Sequence, residues 1–268
     1  MKRKVLTIPA LFAVAFGMAV NGSAQAVESG FLNRAVLVDG TEYRYQVYVP
    51  RDYRRSASWP VVLALHGGGD YGDDGVRQTA GGLANAIRRN VERFPAIVVF
   101  PQSHADGTPG WHLKGGQAAL AAVDKAIAEF NGDAARVYLT GYSAGGNGSW
   151  YLASHHPGRF AAAVIVCGWI SEFRGRTSGV LYPALAPASA PDPYTAVAKL
   201  LSRLPIWIFH GDADETVSVE ESRRMASALK AIGADVQYTE FPGAGHNAWD
   251  PAYERADVLA WMLKQRRR

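Results

Sequence analysis

The sequence predicts an α/β domain: a mostly parallel sheet, opened by an antiparallel hairpin and covered by helices on both faces. Three observations carry this. Apolar strand-like runs alternate with helix-like stretches along the chain. The run Pro60–Leu65 is continuously apolar, as expected of a strand buried on both sides. The β-rich run Val137–Thr140 ends abruptly in Gly141-Tyr142-Ser143-Ala144-Gly145 and then turns helical, the strand–turn–helix context in which G-x-S-x-G marks an exposed serine on a sharp elbow.

The elements follow in order. Residues 31–38 and 43–49 read as two strands joined by Asp39-Gly40-Thr41-Glu42, and Asp-Gly is a hairpin signal. Tyr and Val alternate with polar residues across 43–49, the pattern of a half-buried strand. A polar loop, 51–59, leads into the apolar strand. Further strands are expected at 96–100, 136–140, 161–167, 205–210 and 235–241, with helices near 76–93, 116–130, 145–156, 218–232 and 251–265. No linker or repeat divides the chain, so residues 27–268 are read as one catalytic domain. The stretch Phe173–Tyr194, rich in Pro, Ala, Ser and Gly, is long for a connection and is expected either to border a pocket or to be a surface loop.

The first 26 residues are read apart from the domain. Lys2, Arg3 and Lys4, the apolar run Leu11–Val20 and Ala24-Gln25-Ala26 have the order of a cleavable secretory signal. The expected location is therefore secreted or periplasmic. The full chain of 268 residues carries 28 Lys and Arg against 24 Asp and Glu; the leader holds three of the bases and no acid, leaving 25 against 24. Nothing in that balance suggests a nucleic-acid partner or a stable membrane association. A monomer is expected. With 48% hydrophobic residues the chain can bury a full core. Cys167 stands alone in an apolar strand pattern, so no internal disulfide is available and a buried, inert thiol is expected.

Serine acyl transfer needs a base, an acid to orient the base, and donors for the developing oxyanion. Ser143 is the candidate nucleophile. His246 is the candidate base, because it lies on a Gly-rich loop after the last strand, downstream of Gly243 and Gly245. The other histidines have simpler roles: His155 and His156 end a helix, His210 ends a strand and makes a structural hydrogen bond, and His104 and His112 are loop residues. The acid comes from the loop after residue 210, where Asp212, Asp214 and Glu215 compete and spacing does not choose among them. The oxyanion donors are the backbone N–H groups of Ala144, at a helix start, and of Gly68, in His66-Gly67-Gly68-Gly69. Trp111 and Trp249 are candidate aromatic walls for a substrate, with ordinary packing as the competing reading. No histidine or cysteine spacing suggests a metal, and the chemistry calls for no cofactor.

Together these motifs resemble an α/β-hydrolase, with His156-Pro157-Gly158-Arg159-Phe160 and Trp249-Asp250-Pro251-Ala252-Tyr253 fitting the same pattern over roughly residues 40–265. The closer resemblance is to secreted esterases of the feruloyl esterase, acetylxylan esterase and polyhydroxybutyrate depolymerase group; prolyl-oligopeptidase-type peptidases are also similar. The resemblance implies that Asp214, the second aspartate of His-Gly-x-x-Asp, is the orienting acid. It also implies hydrolysis of carboxylic esters through an acyl-enzyme, on a small or polysaccharide-linked substrate. Peptide hydrolysis, polyester or lipid hydrolysis, and a catalytically silent binding protein are the alternatives. Segment 173–194 matches no part of the pattern.

Overall fold

Successive side chains of a strand face opposite ways, and the central strands use both faces. In β3 (Trp59–Leu65), Val61, Leu63 and Leu65 enter one apolar layer while Val62 and Ala64 enter the other. In β9 (Ile206–Gly211), Ile206 and Ile208 face the first layer, and Trp207 and Phe209 the second. The computed structural model describes residues 28–175 and 178–267. The predicted leader, 1–26, lies outside the described residues.

β1 (Gly30–Val38) and β2 (Thr41–Val49) form the hairpin, with Asp39 and Gly40 at positive φ in its turn. β2 continues antiparallel onto β4 (Ile97–Pro101). From there the sheet is parallel: β3, β5 (Gly132–Tyr142), β6 (Ala162–Val166), β9 and β10 (Val236–Phe241). The eight strands run β1-β2-β4-β3-β5-β6-β9-β10. This is the α/β-hydrolase arrangement predicted from the motifs.

Four helices contribute buried side chains to the first layer: α2 (Lys114–Glu129), α3 (Ala144–His155), α4 (Pro193–Leu200) and α5 (Glu220–Ala231). The second layer is closed by α1 (Gly82–Arg89), α6 (Trp249–Glu254) and α7 (Ala256–Lys264). At roughly 25 cal/mol per Å², burial of these two layers is the main stabilising term in a chain with a single, buried cysteine.

Two expected helices are broken. The 76–93 stretch holds a 3₁₀ turn at Arg77–Thr79, then α1, then a second turn at Val91–Arg93. Gly82 enters α1 at φ 58°, a left-handed value that a continuous helix does not contain. The 251–265 stretch divides at Arg255, whose ψ of 123° is extended. Segment 173–194 contains structure that its composition concealed. β7 (Phe173–Arg174) and β8 (Leu181–Tyr182) form a short hairpin, and α4 starts at Pro193. Asp192 caps that helix by accepting the Thr195 N–H at 2.9 Å.

Candidate active site

The parallel strands deliver their C-terminal ends to one rim, and the predicted residues meet there. Ser143 follows β5 directly, at φ 54° and ψ −119°. That is a strained conformation for a residue with a Cβ. The Ser143 N–H donates to Val166 O at 3.0 Å and its carbonyl accepts the Asn147 N–H at 3.0 Å, which ties the elbow to β6 and α3. Its hydroxyl caps nothing in α3 and is left available. Small flanking residues make the turn possible. A Cβ on Gly141 would lie 2.2 Å from Gly145 O, and one on Gly145 would lie 2.2 Å from Leu65 O.

His246 Nε2 stands 2.9 Å from Ser143 Oγ, and its Nδ1 stands 2.7 Å from Asp214 Oδ2. The three side chains therefore form one unbroken chain of hydrogen bonds. Of the competing acids, Asp212 instead accepts the Gly243 N–H at 2.6 Å, which pins the loop carrying His246. Glu215 is exposed. The Asp214 side chain is fully buried. Burial alone would push its carboxyl up; donors from His210, His246 and the Val217 N–H outweigh that and hold it well below the usual carboxylate range. An ionised acid requires the proton of His246 to sit on Nδ1, leaving Nε2 free to accept from the serine.

The two oxyanion candidates are adjacent. A Cβ on Gly68 would sit 3.8 Å from the Ala144 Cβ. Ala144 is the first residue of α3, where helix geometry leaves N–H groups without intrahelical acceptors and the dipole favours an anion. The Gly68 N–H belongs to the same planar peptide as the Gly67 carbonyl, so fixing one aims the other. That carbonyl is held by His66 Nδ1 at 2.7 Å and by the Asp70 N–H at 3.2 Å. Ser103 N–H donates to His66 Nε2 at 3.1 Å, so the ring proton sits on Nδ1 and donates to Gly67. Burial pushes this imidazole down to about 4, which keeps it neutral. Tyr142, the residue before Ser143, bonds Asp70 Oδ2 through its hydroxyl at 2.7 Å and so ties the elbow to the glycine loop.

Trp111 corrects its expectation. It is 1% exposed and its indole N–H donates to His66 O at 3.1 Å. A ring in that position braces the glycine loop from within the core and offers no wall to a substrate. Trp249 is half-buried, packs on Tyr142 at 4.6 Å between centroids and presents an edge-on contact to His246 at 5.4 Å. A third apolar cluster was missed by sequence reasoning: Tyr71, Trp169, Val180, Tyr182 and Val217 gather around Ala144, with Phe173 against them. The hairpin of segment 173–194 supplies three of these residues, and the Tyr71 and Tyr182 hydroxyls are bonded at 2.9 Å. Trp169 is buried and its indole N–H has no hydrogen-bond partner among the described residues.

Three further histidines make packing or hydrogen-bond contacts elsewhere. His112 Nε2 bonds Asn147 Oδ1 at 3.0 Å, His155 Nδ1 bonds Tyr151 O at 2.9 Å, and His104 stacks on Tyr43. Cys167, Asp214 and His246 bring donor atoms within 4.8 Å of one another, the only such trio among the described residues. Its chemistry is poor for a metal: Asp214 and His246 are spent on each other, and burial pushes the Cys167 thiol far above its ordinary range, away from the thiolate a metal needs.

Known proteins resemble this chain in sequence and fold. An acetylxylan esterase A from Emericella nidulans is 27% identical over 200 residues, covering 66% of this chain and 63% of its own. An uncharacterized secreted protein from Arthroderma benhamiae is 28% identical over 224 residues, covering 76% of this chain and 23% of its own. The crystal structure of a thermostable esterase superposes with a TM-score of 0.72 at 28% identity, covering 88% of this chain and 63% of that one. The chain thus spans between about a quarter and two thirds of the length of these relatives. Residues 111–267 match the prolyl oligopeptidase family, and with more than half of its length in that match the chain belongs to this family.

Proposed function

We propose that the protein is an exported serine hydrolase that cleaves carboxylic esters through an acyl-enzyme. The observation that carries this reading is the hydrogen-bond chain Ser143 Oγ–His246 Nε2 and His246 Nδ1–Asp214 Oδ2, at 2.9 and 2.7 Å. His246 takes the hydroxyl proton as Ser143 Oγ attacks the carbonyl carbon. Asp214 holds the ring and offsets the charge of the imidazolium that forms. The Gly68 and Ala144 N–H groups receive the oxyanion. The intermediate collapses as His246 returns the proton to the leaving alcohol, and water then releases the acyl group by the same route.

Ester rather than amide substrates are supported by the esterase relatives, and an acyl or alcohol group of feruloyl or acetyl type by the aromatic cluster beside Ala144. The unpartnered Trp169 N–H is a donor available to a substrate oxygen. Export as a single-domain monomer, with 1–26 removed and 27–268 retained, is part of the proposal; it is supported by the order of basic, apolar and small residues in the leader and by the secreted relative. N-terminal sequencing of the extracellular or periplasmic protein should begin at Val27.

Family membership favours peptide hydrolysis as a second reading. Parallel assays on p-nitrophenyl acetate, methyl ferulate and short peptides separate the two. Ser143→Ala should lower ester turnover by about 10⁴-fold or more and abolish labelling by a fluorophosphonate probe, with an unchanged circular dichroism spectrum. A variant that retains most of its turnover would remove Ser143 from the mechanism.

A further inference from the structure

His210 was expected to be a structural residue at the end of β9. It is fully buried. Its Nε2 faces two acceptors, Val217 O at 3.1 Å and Asp214 Oδ2 at 3.2 Å. The proton must therefore sit on Nε2. Nδ1 is then an acceptor, and the Ser222 hydroxyl of α5 lies 2.7 Å from it. Oδ2 of Asp214 thus accepts from His246 Nδ1 and lies 3.2 Å from His210 Nε2, whose own hydrogen bond runs to Val217 O. Oδ1 receives the Thr216 and Val217 N–H groups at 2.8 and 3.0 Å. Of the two rings beside Oδ2, His246 moves through the proton-transfer cycle. His210, buried and bonded at both nitrogens, does not.

We infer that His210, its Nε2 proton fixed by the acceptors that face it and its ring anchored at Nδ1 by Ser222, is a positioning residue that holds the Asp214 carboxylate in register for His246 by presenting its Nε2–H beside Oδ2. This rests on the triad reading above and extends it to a chain of five side chains: Ser222, His210, Asp214, His246 and Ser143. The physical ground is preorganisation. A carboxylate oriented before the substrate arrives needs no reorganisation when the imidazolium forms. A fixed donor on Oδ2 also restrains rotation of the carboxylate about its terminal torsion, which backbone donors on Oδ1 alone would restrain less.

The test uses the full-length protein and two amides. Gln places its side-chain N–H near the position of His Nε2 and can reach Oδ2; Asn reaches only the region of Nδ1. Turnover of p-nitrophenyl acetate is measured per active site, with sites counted by fluorophosphonate labelling. His210→Asn should lose about 10- to 100-fold in kcat with KM changed by less than about 3-fold, and His210→Gln should recover most of that loss. Ser222→Ala, which removes the hydrogen bond anchoring the ring at Nδ1, should lose about 3- to 10-fold in kcat per site; it carries the argument if either His210 variant fails to fold. The inference is overturned if Asn and Gln lose equally per titrated site, or if Ser222→Ala keeps full kcat per site. Failure of the triad reading looks different: wild-type protein would not label, or Ser143→Ala would remain active.

Discussion

Asp214→Asn tests the site most sharply, because the structure sets four N–H groups around its carboxylate and an amide has one oxygen. If that oxygen faces the backbone, it keeps the Thr216 and Val217 N–H groups, and the NH₂ then meets the N–H groups of His246 and His210. His246 can relieve the clash only by moving its proton to Nε2. The nitrogen facing Ser143 would then carry a proton and could not accept one. If the oxygen faces the rings instead, the Thr216 and Val217 N–H groups meet an NH₂ and both lose their acceptor, the second of them in a part-buried position. The wrong-tautomer state is the expected one, and kcat should fall about 10⁴-fold, equivalent to about 5 kcal/mol of transition-state stabilisation. Asp212→Asn is the control. It keeps an oxygen for the Gly243 N–H and should change kcat by less than about 3-fold. Both are read as p-nitrophenyl acetate turnover per folded molecule, with folding checked by circular dichroism. A loss below about 30-fold in Asp214→Asn, or equal losses in the two variants, would show that Asp214 does not orient the base.

Three further outcomes follow from the same geometry. Asp214 has its folded-state pKa depressed from an ordinary value of 3.8, so on acidification the unfolded chain binds the proton first and stability is lost as pH falls below that value. Thermal melts between about pH 4 and pH 2 should decline less steeply in Asp214→Asn than in wild type; identical slopes would refute the donor network around the carboxylate. Gly145→Ala would bring a Cβ to 2.2 Å from Leu65 O, a backbone atom that cannot rotate away. That change should destabilise by about 4 kcal/mol or more in denaturant titrations, and a shift under about 1 kcal/mol would mean the elbow is looser than drawn. Tyr142→Phe removes the donor to Asp70 Oδ2. Burial already raises the Asp70 carboxyl and the Tyr142 hydroxyl counters this, so the variant should lose about 1–3 kcal/mol of stability, measured in the same titrations.

The fold was legible because its central strands are continuous apolar runs, whose register against neighbours follows from burial on both faces. The residues of the candidate site come together for a related reason. Ser143, His246 and Asp214 each lie at or just beyond the C-terminal end of a parallel strand, and parallel strands bring those ends to one rim whatever the separation in sequence. Legibility stopped where the relevant neighbour was set by side-chain direction. Trp111 offers the same indole whether it lines a cleft or braces His66; its burial depends on how α2 and α3 close over β3, which a single loop residue does not encode. The α4 helix was hidden for a different reason. Its apolar content resembles that of the loop before it, although Asp192-Pro193 followed by Thr195 is a capping and first-turn signature that could have located its start.

His210 shows how the acid was left open among three candidates. Spacing along a turn does not distinguish Asp212, Asp214 and Glu215, because each is within reach of a rim histidine. The structure separates them by what waits behind the loop. β9 ends with an inward-facing imidazole, α5 follows with an inward-facing hydroxyl, and only the residue four beyond His210 brings a carboxylate into hydrogen-bond range of that imidazole. The ring N–H of buried His210 meets Val217 O, and Asp214 brings a second acceptor beside it while facing His246. The turn is thus specified from both sides: from the core by the hydrogen-bonding needs of His210, and from the rim by the base. Shifting the aspartate one position either way would take the carboxylate away from His210 and leave its ring N–H with Val217 O alone, so under the proposed triad the spacing of His-Gly-x-x-Asp bears on folding and chemistry together.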